Sequence, residues 1–156
     1  TAIRAKDMDF TVPLVRLELG YLVVADSKLQ SVTDIDKAGL RVGVSQGSSS
    51  QGVLTQMYKQ AKVVPADSLA KAKNMLATKQ IDAFATNKGI LFEMSDTLPG
   101  SQVLPGRWGL ENLAIAIPKG RDAGREFVQS FANNVSQSVL LGKVIVRSGL
   151  RGTAKD

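Results

Sequence analysis

Arg41-Val42-Gly43-Val44-Ser45-Gln46-Gly47-Ser48-Ser49-Ser50 is the stretch whose reading decides the fold. Its first half is a short valine-rich run of the kind that forms a buried strand. Gln46 to Ser50 then supplies a glycine and three serines, residues that turn a chain and cap a helix. A strand–turn–helix of this type points backbone N–H groups at an anion. Further on, Ile81-Asp82-Ala83-Phe84-Ala85-Thr86-Asn87 reads as a second strand ending in polar side chains. If the two strands are neighbours in one parallel sheet, their carboxyl ends open on a single crevice, where open α/β sheets bind ligands. A small-molecule site is the reading this favours.

Working outward, strand-like segments fall at 8–12, 21–25, 40–45, 61–64, 81–85, 102–104 and 113–117, mostly bounded by Gly, Pro, Asp or Ser. Helical spacing places Val53, Leu54, Met57 and Ala61 on one face of a helix over 50–60. The same spacing groups Leu69, Ala72, Met75 and Leu76 over 68–78. From 122 to 148 the pattern is helical without strands, with Phe127, Phe131 and Val135 on one stripe and Val139, Leu140, Val144 and Ile145 on the next. Between about Val32 and Val103 helices and strands alternate, so right-handed crossovers and a small α/β unit are expected. The simplest architecture is a central lobe carried on two connecting strands, near 21–25 and 113–117.

A chain of 156 residues with 44% apolar and 22% charged residues is globular in balance and long enough for a real core. It contains neither Cys nor His. Thiolate chemistry, disulfides, His-dependent triads and His-rich zinc sites are thereby excluded, and no cofactor or metal is expected. The net charge of +6 raises anionic partners, but only 5% of residues are aromatic and no stacking platform or nucleic-acid motif is present. The local basic excess at Lys119, Arg121, Arg125, Lys143, Arg147, Arg151 and Lys155 is either a docking patch or a solvated helix surface. No apolar run is long enough to cross a bilayer.

Several candidates carry two readings. Gln46, Gly47, Ser48 and Ser49 form an anion cradle or a plain helix cap. Asn87 faces the crevice with a donor and an acceptor, or fills a turn before Gly89. Asp82 fits a strand-edge or capping hydrogen bond better than a catalytic carboxylate. Arg4 is a bidentate partner for a carboxylate or a surface Arg. Trp108, in Gly106-Arg107-Trp108-Gly109, covers a connecting strand more naturally than it lines a cleft.

The order of motifs then becomes informative. Arg4, Asp9-Phe10-Thr11-Val12-Pro13, Gly20-Tyr21-Leu22-Val23-Val24-Ala25, Ser31-Val32-Thr33-Asp34-Ile35, the 41–49 stretch, Ile81-Asp82-Ala83-Phe84 and Ala114-Ile115-Ala116-Ile117-Pro118-Lys119-Gly120 together resemble the type II periplasmic solute-binding proteins, in the polar amino-acid family that serves ABC importers. The resemblance implies two α/β lobes joined by hinge strands. It places 1–24 in a remnant of the first lobe with the first hinge strand and 25–110 in a complete second lobe with a mixed, mainly parallel sheet. Residues 111–156 then form the second hinge strand and helices returning to an incomplete first lobe, so the resemblance implies an N-terminally truncated member. Arg4 falls on the family's carboxylate-clamping arginine, and Ser48 and Ser49 on its Thr/Ser pair. Asn87 stands where amino-acid binders usually present an Asp to the ligand's α-ammonium. This neutral amide weakens the case for a conventional amino-acid head group.

The function implied is extracytoplasmic binding of a small carboxylate-bearing solute, in the periplasm or outside the cell, with an ABC permease as partner and no catalysis. With the first lobe incomplete, the helical stripes of 122–148 lack a cover, which points to a homodimer. One alternative is an oligomeric structural or interaction protein that has lost ligand binding. A dehydratase on the same scaffold is another, and it would need an acid and a lysine in the cleft, for which Glu93 and Lys88 are the candidates, although both read more economically as exposed helix residues.

Overall fold

The computed structural model describes residues 3–154, so Lys155 of the basic excess lies outside the described residues. The strands are β1 (Met8–Phe10), β2 (Val15–Val23), β3 (Arg41–Ser45), β4 (Lys62–Ala66), β5 (Ala83–Asn87), β6 (Gln102–Val103), β7 (Gly109–Leu113) and β8 (Ala116–Pro118). The helices are α1 (Ser49–Met57), α2 (Leu69–Ala77), α3 (Lys88–Asp96), α4 (Asp122–Ser136) and α5 (Val139–Arg147). Short 3-10 turns occupy Arg4–Lys6 and Val32–Asp34. The chain divides into two compact units, 1–17 with 111–156 and 18–110.

The 18–110 unit is built on a mixed sheet in the order β4-β3-β5-β2-β6, with β7 also pairing β2. β3 runs parallel to both β4 and β5, in the registers Val44↔Pro65 and Val44↔Ala85. β2 runs antiparallel to β5, with Leu19 opposite Asn87 and Leu22 opposite Phe84. Both faces of the sheet are sealed, which is why its central strands read as nearly continuous apolar runs. On one face Tyr21, Val23, Val42, Val44 and Ala85 pack with Leu54 of α1. On the other, Leu22 and Phe84 pack with Ala72, Met75 and Leu76 of α2 and with Leu91 and Met94 of α3. Gly43 is required inside this packing, since a Cβ there would lie 2.3 Å from Ile81 Cδ1 and 3.1 Å from Phe84.

Several elements differ from the periodicity reading. β2 starts at Val15 rather than Tyr21, because Val15, Leu17, Leu19 and Tyr21 alternate with Arg16, Glu18 and Gly20 at the period of a strand. The strand expected at 113–117 is two strands, β7 and β8. On α1 only Leu54 of the expected face is sealed, whereas Val53 and Met57 lie nearly half exposed. A nine-residue helix on a sheet buries a narrower stripe than the one proposed.

In the other unit, β1 pairs antiparallel with β8 through Met8↔Pro118 and Phe10↔Ala116. Gln129 of α4 donates to the Phe10 carbonyl at 3.1 Å, and Arg125 approaches Asp9 at 3.7 Å. The helical stripes of α4 and α5 are largely open: Phe127 is 74% exposed and Val139 76% exposed, while Ala132 is buried.

Candidate functional site

In the 18–110 unit, β3 and β5 are parallel neighbours whose exits diverge. Chain leaving β3 enters α1 on one face, and chain leaving β5 enters α3 on the opposite face. This divergence is a topological switch point, the place at the carboxyl ends of the strands where open α/β sheets take ligands. Gln46, Gly47, Ser48 and Ser49 lead from β3 into α1, and Asn87 is the last residue of β5, directly before α3. Arg4 belongs to the other unit, in the 3-10 turn Arg4–Lys6, and its side chain is exposed.

The turn after β3 is a reciprocal cap. Ser48, extended at φ −74° and ψ 160°, accepts the Gln51 N–H at 3.2 Å. Gln51 reaches back, and its Oε1 accepts the Gly47 N–H at 2.7 Å. Gly47 holds φ +72°, a left-handed conformation that favours glycine. The Gln46 N–H donates to the Ala66 carbonyl at 2.8 Å and ties the turn to β4. Asn87 plays the same part on α3, its Oδ1 accepting the Ile90 N–H at 3.1 Å. At both strand ends the polar residues therefore cap a helix, whose first-turn N–H groups carry the positive end of the helix dipole.

Next to Asn87 the structure places a charge cluster that the motif reading did not assemble. Lys88, the first residue of α3, is buried and donates to Glu18 Oε2 at 2.6 Å. Arg107 approaches the other oxygen of the same carboxylate at 3.4 Å. The lysine hydrogen bond outweighs partial desolvation and, with Arg107, holds the Glu18 carboxyl below its usual range. The lysine stem runs over Gly20, where a Cβ would come within 3.0 Å of Lys88 Cε. Lys88 is thus buried rather than exposed, and its carboxylate partner is Glu18, while Glu93 is exposed. The alternation of residues 15–21 was the signal that could have placed Glu18 on a strand.

The remaining polar groups are structural. Asp82, at the opposite end of β5, accepts from the Arg41 backbone N–H at 2.8 Å and from its guanidinium through both oxygens at 3.0 Å. Trp108 donates from Nε1 to the Gly20 carbonyl at 3.0 Å and tilts against Tyr21 with ring centroids 6.3 Å apart. Tyr21 and Tyr58 share a 2.6 Å hydroxyl contact, and burial pushes the Tyr21 hydroxyl up to about 12. That pair is neutral at physiological pH and belongs to the core.

A glutamine-binding protein of an ABC transporter in Bacillus subtilis, GlnH, is 30% identical over 123 residues, covering 79% of this chain and 45% of the relative. The chain is a homologue of ABC-transporter glutamine-binding proteins. It spans about half the length of the curated relatives it matches. Among solved structures, an amino-acid ABC transporter substrate-binding protein from Streptococcus pneumoniae, AbpA, bound to L-arginine, superposes with a TM-score of 0.80 at 19% identity over 99% of this chain and 66% of that one. An ancestral amino-acid-binding protein described as a precursor of cyclohexadienyl dehydratase, AncCDT-1, superposes with a TM-score of 0.79 at 22% identity, over 94% of this chain and 64% of that one. The α/β fold of this homologue is therefore that of the amino-acid-binding periplasmic proteins. No family model matches the chain. Among the described residues no helix is long and apolar enough to cross a membrane.

Proposed function

We propose that this homologue is a solute-binding module of an ABC importer, working in the periplasm or outside the cell, that binds a small carboxylate-bearing, amino-acid-like solute without turning it over. The observation that carries the reading is the switch point between β3 and β5, flanked by the capped N-termini of α1 and α3. Ser49 offers its first-turn N–H to a carboxylate, Ser48 and Ser49 add their hydroxyls, Gln46 its side-chain amide and Gly47 a close backbone approach, and Asn87 offers its amide to a neighbouring polar group. For Arg4 the role is the carboxylate clamp that the resemblance implies. A dehydratase is disfavoured, since Lys88 is engaged by Glu18 and Glu93 stands exposed.

The test is calorimetric titration of the whole chain with amino acids, keto acids and dicarboxylates, backed by thermal shift. Saturable binding of a carboxylate, weakened by Ser49→Pro and separately by Arg4→Ala, supports the reading. Indifference to every carboxylate overturns it.

A second reading concerns self-association, and the open stripe of α4 and α5 favours it. Two copies covering that stripe would form a homodimer, with or without a ligand. Light scattering over a concentration series decides, because a monomer at every concentration removes this reading.

A further inference from the structure

Lys88, Arg107 and Glu18 meet at the carboxyl end of β5, beside Asn87, and their charges do not balance. Two cations share one carboxylate, leaving one positive charge over. The imbalance is sharpened by position. Lys88 is the first residue of α3, at the positive end of that helix, where an anion rather than a cation is favoured. Burying an ammonium there is unfavourable unless negative charge faces it. Glu18 supplies part of that charge, and the long 3.4 Å approach of Arg107 leaves the guanidinium, still 45% exposed, able to turn toward a second anion. Gly20 leaves room for the lysine stem.

Resting on the binding reading above, we infer that Lys88 and Arg107 make the site select solutes with a second anionic group, an acidic amino acid or a dicarboxylate, over their neutral isosteres. Glu18 pairs with both cations and offsets part of their charge. Asn87, with no charge of its own, adds nothing that would repel such a group.

L-glutamate and L-glutamine differ at the side-chain terminus in charge and little in shape, so calorimetric titration of the whole chain with each isolates the effect. Glutamate is expected to bind roughly tenfold more tightly, the scale of one charge-assisted hydrogen bond. Arg107→Gln, at an exposed position, should abolish most of that preference by lowering the glutamate affinity toward that of glutamine. Glu18→Gln should raise the glutamate preference, an effect that loss of folding would not produce. Equal or tighter binding of glutamine, or a glutamate preference unchanged in Arg107→Gln, overturns this inference and leaves the binding reading standing. Failure of every carboxylate to bind overturns both.

Discussion

Leu54 on α1 and Phe127 on α4 are apolar residues at helical spacing, yet the first is fully sealed and the second is 74% exposed. The difference lies in what each helix has beside it. α1 lies on a sheet whose two faces are closed by helices from the same unit, so Leu54 is sealed against residues from several strands of that sheet. α4 and α5 belong to a unit whose sheet is the two-stranded β1–β8 pair, and of these two helices only Ala132 is buried. Helical periodicity therefore reports which residues share a face, and only the surrounding chain decides whether that face is buried.

The strongest way to break the contrast is to truncate one aromatic in each unit. Phe84→Ala removes a fully buried ring between α2 and α3 and should cost about 3–5 kcal/mol. Phe127→Ala should fall within about 0.5 kcal/mol of the parent. Urea midpoints at fixed protein concentration measure both. A loss for Phe127→Ala that grows with concentration would show that a second copy covers the α4 stripe, and the contrast would then describe the single chain alone.

Glycines sharpen the same comparison on a smaller scale. Gly43→Ala drives a methyl into Ile81 and Phe84 and should destabilise by about 1–3 kcal/mol. Gly52 sits within α1 with open space at its Cβ position, so Gly52→Ala should stabilise by roughly 0.5–1 kcal/mol. Thermal unfolding should show the two substitutions moving Tm in opposite directions.

Legibility in the sequence followed the same division. The β3–turn–α1 segment was readable because a valine-rich strand, a Gly at positive φ and a Ser cap each leave a local mark, and all three agree. Ser48→Ala should cost about 1 kcal/mol in urea unfolding as that cap is lost. The start of β2 was less visible because Pro13 precedes it and charged residues alternate through it, which masks an otherwise regular strand. Glu18 was hidden with it. Its partners Lys88 and Arg107 lie 70 and 89 residues away, and no local spacing predicts contacts that only the sheet register creates. Asn87, by contrast, was legible as a strand-end polar residue, although its cap on α3 depends on where that helix starts.

The smallest effect expected is one of pH, at the 3-10 turn after Ser31. Asp34 accepts from Lys37 at 3.0 Å and from the Gln30 and Ser31 N–H groups at 3.0 and 3.1 Å. Those partners, Lys37 first, lower its carboxyl from the ordinary 3.8 to about 2. The folded state thus favours the anion. Its contribution is complete above the unfolded value and fades as pH falls from about 4 toward about 2. Asp34→Asn keeps an acceptor for the backbone but carries no charge to titrate. The stability gap between parent and variant should therefore be widest near about pH 5 and narrow across that acid window. Lys37 and Asp34 are solvent-screened, so the gap should be small and shrink further with added salt. A gap that stays constant to about pH 2 would mean that the turn is held by its backbone hydrogen bonds alone, and that surface charge contributes as little to the well-packed unit as apolar exposure does to the open one.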